Sequence, residues 1–231
     1  SPNKAEIKNT DSTVIENFLG ISLDDDYSPK EMITALELIM PKLEELYNTR
    51  VRHYVVKKHT LLVCEQFEKY AFAFDNKCMN MDLMRLVLAI HDIGKAIDRS
   101  TQHEHTLSLV RELWENTPFT EHEFNLVEVL LRDDHLGSYF QNKYELSDLK
   151  EEIVANATEL KMSPSILLQY KMILYQCDIA SYTKDAGGLK YLEHMFVYEN
   201  GEKAFDEENG IIAMSEEYAD RYVNLKESIN E

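Results

Sequence analysis

Apolar residues recur at the helical period along most of the chain. Steps of three and four link Val63, Phe67, Tyr70 and Phe74 within 57–74, Leu83 with Val87 within 81–92, and Leu109 with Leu113 within 102–114. Such spacing lines one face of a helix and leaves the opposite face polar. Start signals punctuate the same pattern. Ser28-Pro29-Lys30-Glu31 offers a cap, a proline at the first helical position and a capping-box glutamate ahead of a run to Tyr47. Thr120 with Glu123 repeats the box before 124–131, Ser147 with Asp148 opens another helix, and Ser163-Pro164 opens a long one to Ala180. Ser215 with Glu216 and Glu217 starts the last, its acids placed where the helix dipole favours them. Strand character is confined to the short stretches 195–198 and 211–213. The acidic, glycine-bounded segment 199–210 reads as a surface loop or hairpin connection. The pattern predicts an all-α fold, one helical domain over 11–229 after an N-terminal extension of residues 1–10.

Composition agrees with one buried core. The chain has 231 residues, 44% of them hydrophobic, with five prolines and seven glycines. Its 24 basic and 42 acidic residues leave a net charge of −18. A surface so charged repels polyanions, which argues against non-specific binding to nucleic acid or to an anionic membrane, but not against a small nucleotide in a locally positive pocket. No apolar run reaches the ~18 residues of a membrane span, and no signal peptide opens the chain. Cys64, Cys78 and Cys177 show no metal or disulfide spacing and read as core residues of a reduced, cytoplasmic protein. The start at Ser1 without methionine suggests an excised or processed chain and leaves open a targeting segment before it.

Several chemistries are missing: there is no phosphate loop, dinucleotide fingerprint, nucleophile elbow or HExxH pair. What stands out is charge on apolar faces. His59 continues the stripe of Val63, Phe67, Tyr70 and Phe74. His91 extends Leu83 and Val87, with Asp92 beside it and Gly94 expected to let the backbone turn. Asp178 extends Leu167, Tyr170 and Leu174. An ionised aspartate facing a core costs several kcal/mol, as a rough estimate, unless it is paired or ligates a metal. One divalent cation satisfies all four side chains. Mixed imidazole and carboxylate ligation favours Mn, Fe, Co, Ni or Zn, with Mg also possible.

His59, the pair His91-Asp92 followed by Ile93-Gly94-Lys95, and Asp178 on a later helix resemble the HD-domain superfamily of metal-dependent phosphohydrolases. The lead-in Lys58-His59-Thr60-Leu61-Leu62-Val63 resembles that family's first-histidine helix. The likeness covers about 53–182 and implies a helical bundle of the HD type. It implies that His59, His91, Asp92 and Asp178 bind the metal and that Asp92 orients the attacking water. Lys95 would meet substrate phosphate as a point charge. His105, on a stripe with Leu109 and Leu113, is a third candidate catalytic side chain beside Asp92 and Lys95. Gln102, Thr106, Asp134 and His135 are candidates for substrate contact. In several HD subfamilies extra histidines between the pair and the last aspartate bind a second metal, and His105 and His135 occupy that interval, so one or two ions are expected.

The implied function is hydrolysis of a phosphomonoester or phosphodiester of a small phosphorylated substrate such as a nucleotide. The alternatives are an HD-type di-iron oxygenase and a non-catalytic, metal-stabilised sensor or interaction domain. Neither partner nor oligomeric state can be read from the residues. His53, His122 and His194 read as surface or locally capped histidines.

Overall fold

The computed structural model describes residues 27–74, 79–183 and 190–230. The proposed extension, the start of the domain at residue 11 and Cys78 lie outside them. The protein is mostly helical, as its apolar periodicity requires. The chain groups into two compact units: Ser1–Glu65 with Asn80–Arg132, and Gln66–Met79 with Asp133–Glu231.

In the first unit, α1 (Pro29–Ile39) begins where predicted, with the Ser28 hydroxyl accepting the Glu31 amide at 3.3 Å. The expected run to Tyr47 is broken. Met40 leaves the helical region at φ −135°, ψ 85°, and α2 (Lys42–Tyr47) restarts after Pro41, which has no amide to donate and disfavours helix in the residue before it. A two-stranded hairpin, β1 (Arg50–Val51) and β2 (Tyr54–Val55), follows, with Val51 opposite Tyr54. No strand pair was expected there. Its turn residue Arg52 sits at φ 52°, a left-handed position usually filled by Gly, Asn or Asp, so the sequence carries no hairpin signal. The hairpin leads straight into α3 (Val56–Phe74), whose residues through Glu65 belong to this unit.

The helix α4 (Met81–Ile90) is capped by the Asn80 side chain and buries Leu83, Met84, Leu86, Val87, Leu88 and Ile90. The Tyr47 hydroxyl donates to the Ala89 carbonyl at 2.5 Å, tying α2 to α4 through a buried bond. After α4 a 3-10 turn, Ile93–Ala96, packs against α5 (Gln102–Trp114). Then α6 (Glu121–Leu131) opens with both halves of the Thr120–Glu123 capping box formed.

The second unit holds α7 (His135–Phe140), α8 (Leu146–Leu160), α9 (Pro164–Ala180) and α10 (Glu216–Asn230), and it also takes in α3 from Gln66 onward. Helix α8 starts a residue before the predicted Ser147 cap, with Glu145 in the capping position and no side-chain bond there. It ends with Lys161 left-handed at φ 55°. The stretches 195–198 and 211–213 do carry strand structure. Phe196 bridges Met214, and short hairpins join β3 (Tyr198–Glu199) to β4 (Glu202–Lys203) and β5 (Phe205–Asp206) to β6 (Ile211–Ile212). The buried Gln176 amide of α9 both donates to and accepts from the Ile212 backbone, each at 2.9 Å, so it completes the hydrogen bonding of β6. Arg221 donates to the carbonyls of Tyr139 and Phe140 at the end of α7, and the Tyr139 hydroxyl donates back to the Arg221 carbonyl. Among the described residues no helix is long and apolar enough to cross a membrane.

Candidate metal centre

Three of the predicted ligands converge in the first unit. His59, His91 and Asp92 each offer a ligand atom, all within 4.8 Å of one another. The side chain of His59 points inward from α3 as its apolar stripe demands, and only 2% of the residue is exposed. His91 follows the last residue of α4, still in helical geometry at φ −61°, ψ −26°. Asp92 then departs to φ −113°, ψ 2° and starts the 3-10 turn. That change of path brings its carboxylate into the buried interior, where 5% of the residue remains exposed.

The distances define a compact donor set. Asp92 Oδ2 lies 3.1 Å from His59 Nε2 and 3.7 Å from His91 Nε2. His91 Nδ1 is 2.7 Å from the Leu88 carbonyl, which can only accept a hydrogen bond. The proton therefore sits on Nδ1, and Nε2 carries the lone pair that a metal needs. The chemistry of this set, two imidazoles and a buried carboxylate, fits a divalent transition ion.

Lys95 reaches the same carboxylate from one turn on, its Nζ 3.1 Å from Asp92 Oδ2 and 3.2 Å from the Tyr54 hydroxyl. Tyr54 went unnoticed in the sequence, one tyrosine among 13. Its ring lies 4.8 Å from the His59 ring and braces that imidazole from the β1–β2 hairpin. An aromatic residue five positions before the first histidine is the only hint the sequence offers, and it becomes meaningful once the hairpin is known.

Gly94 is needed for a reason other than turning. A Cβ there would fall 2.2 Å from the Gln102 carbonyl and 2.4 Å from the Thr106 hydroxyl. The close approach lets the Gly94 amide donate to Thr106 Oγ1 at 2.9 Å, which locks the 3-10 turn onto α5. Thr106 is thus buried and holds the backbone beneath the His91-Asp92 pair. Gln102, half-buried, supplies its backbone carbonyl to the same contact. His105 is half-buried near Asp98, whose carboxyl is held below its ordinary range. The Ser100 hydroxyl and amide are the main cause, and the His105 charge adds to them.

The remaining candidates belong to the second unit. Asp178 lies in the last turn of α9, half-buried, and its charge contributes after burial to raising the Tyr175 phenol. Asp134 precedes α7 with its carboxylate over Gly137, and it raises the same phenol. His135 has a carboxylate neighbourhood that sequence reasoning did not foresee. Its Nδ1 is 2.7 Å from Glu152 Oε1 and 3.5 Å from Asp133 Oδ1. Asp133, His135 and Glu152 form a second group whose ligand atoms lie within 4.8 Å of one another.

Comparison with protein-family models, with curated proteins and with solved structures finds no match to this chain.

Proposed function

We propose that this protein is a metal-dependent phosphohydrolase of the HD-domain kind. In this reading His59, His91 and Asp92 hold a divalent transition ion, and the substrate is a small phosphate ester such as a nucleotide. The observation that carries the reading is the buried Asp92 carboxylate facing the Nε2 atoms of His59 and His91. A carboxylate so enclosed needs compensating charge, and two imidazoles supply lone pairs rather than fixed charge unless they are protonated. Lys95 balances the single charge of Asp92; what a divalent ion would add is a common partner for the carboxylate and the lone pairs of both imidazoles.

An ion held by these residues would supply a Lewis acid for the phosphoryl oxygen and would lower the pKa of a water so that it could attack as hydroxide. The protein's own residues do the positioning. The Leu88 carbonyl holds His91 in the ligating tautomer, and the Tyr54 ring fixes the plane of His59. Asp92, by the family likeness, orients the attacking water. Lys95 binds the substrate phosphate as a compact cation, with the Tyr54 hydroxyl keeping its ammonium directed at the site. The net charge of −18 makes this local positive group a condition for admitting an anion.

The test is phosphate release from a panel of phosphomonoesters, phosphodiesters and nucleotides by protein loaded in turn with Mn, Co, Ni and Zn. The proposal expects release that disappears in Asp92→Asn. No release from any substrate by fully loaded protein refutes it.

A further inference from the structure

We propose that Asp133, His135 and Glu152 form a second, independent cation site, built within the second unit and suited to a divalent transition ion such as Zn or Co. The three residues come from two separate segments. Asp133 and His135 flank the start of α7, where the His135 amide also donates to Asp133 Oδ1 at 3.1 Å. Glu152 projects from α8.

The spacing is close to what a metal requires. With bonds of ~2.0–2.2 Å, adjacent ligand atoms in tetrahedral or octahedral coordination stand about 2.9–3.5 Å apart. The Nδ1 to Oδ1 separation of 3.5 Å lies in that range, and the Nδ1 to Oε1 separation of 2.7 Å, the length of the hydrogen bond an ion would replace, lies just short of it. One imidazole with two carboxylates is the mixed donor set that transition ions prefer.

A second feature separates this group from an ordinary charged cluster. Glu152 Oε2 is buried and has no hydrogen-bond partner among the described residues. Enclosed oxygens in folded proteins are nearly always satisfied, so one that is not points to a missing ion or water. A protonated His135 satisfies Glu152 Oε1 and leaves Oε2 without a donor. An ion that replaces the Nδ1 proton can engage both Glu152 oxygens.

The surroundings are those of a supported and reachable ligand. The Tyr144 ring stacks on His135 with centroids 4.4 Å apart and 10° between planes, which fixes the imidazole's orientation. The Tyr144 hydroxyl lies 3.5 Å from Glu152 Oε1. The His135 side chain is 38% exposed, and Tyr144 forms part of the wall of a cleft of about 240 Å³ that also includes Tyr139 and Arg221. An ion can therefore enter from solvent.

The experiment uses the full chain and reads binding without turnover. A His91→Ala/Asp92→Ala double variant removes the first centre, and its Co content is measured by absorption and elemental analysis. The expected result is one Co per chain, lost when Glu152→Gln is added. A folded double variant that binds no Co, or Co binding that survives Glu152→Gln, overturns the proposal. Because the double variant can fail to fold, the wild-type protein is titrated with Zn and followed by nitrogen NMR of the histidine rings. The His135 signal, assigned with His135→Gln, is expected to lose its Nδ1 proton and shift on Zn addition. A His135 that keeps that proton through saturation of the other sites is a hydrogen-bonded imidazole only, and the proposal falls.

Discussion

Oδ2 of Asp92 and Nε2 of His59 lie 3.1 Å apart in a buried environment, although the two residues are 33 positions apart in the chain. Both side chains are enclosed, and both are held from behind, His59 by the Tyr54 ring and Asp92 by the 3-10 turn. Preorganisation of this kind is what a metal ligand set requires.

Removing the carboxylate is expected to empty the site. Asp92→Asn keeps the shape and loses the charge, so the apparent metal affinity should fall at least ~100-fold, the upper end of what loss of an outer-shell partner alone costs. Competition with a fluorescent chelator measures this, and circular dichroism should show the helices retained.

Lys95→Ala separates substrate binding from metal binding. Metal stoichiometry should be unchanged, while kcat/KM for the preferred phosphoester drops roughly 10- to 100-fold, as expected for one hydrogen bond to a charged group. Equal kcat/KM in the variant and wild type would remove Lys95 from the mechanism.

Gly94→Ala tests the seat beneath the pair. The added methyl meets the Gln102 carbonyl oxygen at 2.2 Å and the Thr106 amide nitrogen at 2.5 Å, so the 3-10 turn must move. A loss of about 1–3 kcal/mol is expected from overpacking, read by urea denaturation, with weaker metal binding alongside.

Tyr47 gives a pH signature. Burial pushes its phenol well above the ordinary value, with Cys64 and Glu37 acting in the same direction. A raised phenol favours the neutral form, so its stabilisation is complete below the unfolded value near 10 and is lost as pH rises beyond it. Wild-type stability should therefore fall more steeply above about pH 10 than that of Tyr47→Phe. At pH 7 the variant should be about 1–3 kcal/mol less stable, because the Ala89 carbonyl loses its donor.

Much of the helical frame was legible because it is encoded locally. Thr120 with Glu123 marks the start of α6, and the apolar period of 102–114 matches α5 from end to end. The break at Met40-Pro41 was missed, because the apolar pattern on either side masked the signal that Pro41 carries. The β1–β2 hairpin could not be read, since Arg52 adopts a left-handed turn without a turn residue, and Tyr54 was lost with it. His59, His91 and Asp92 were visible as charge on apolar stripes. The pairing of His135 with Glu152 was not, because it depends on how α8 packs beside α7.

The central claim is the first metal centre, and anomalous diffraction from crystals grown with Mn or Co tests it most directly. The account predicts an anomalous peak within bonding distance of His59 Nε2, His91 Nε2 and the Asp92 carboxylate. Density that places water or the Lys95 ammonium there, with no anomalous signal at full metal loading, would contradict it.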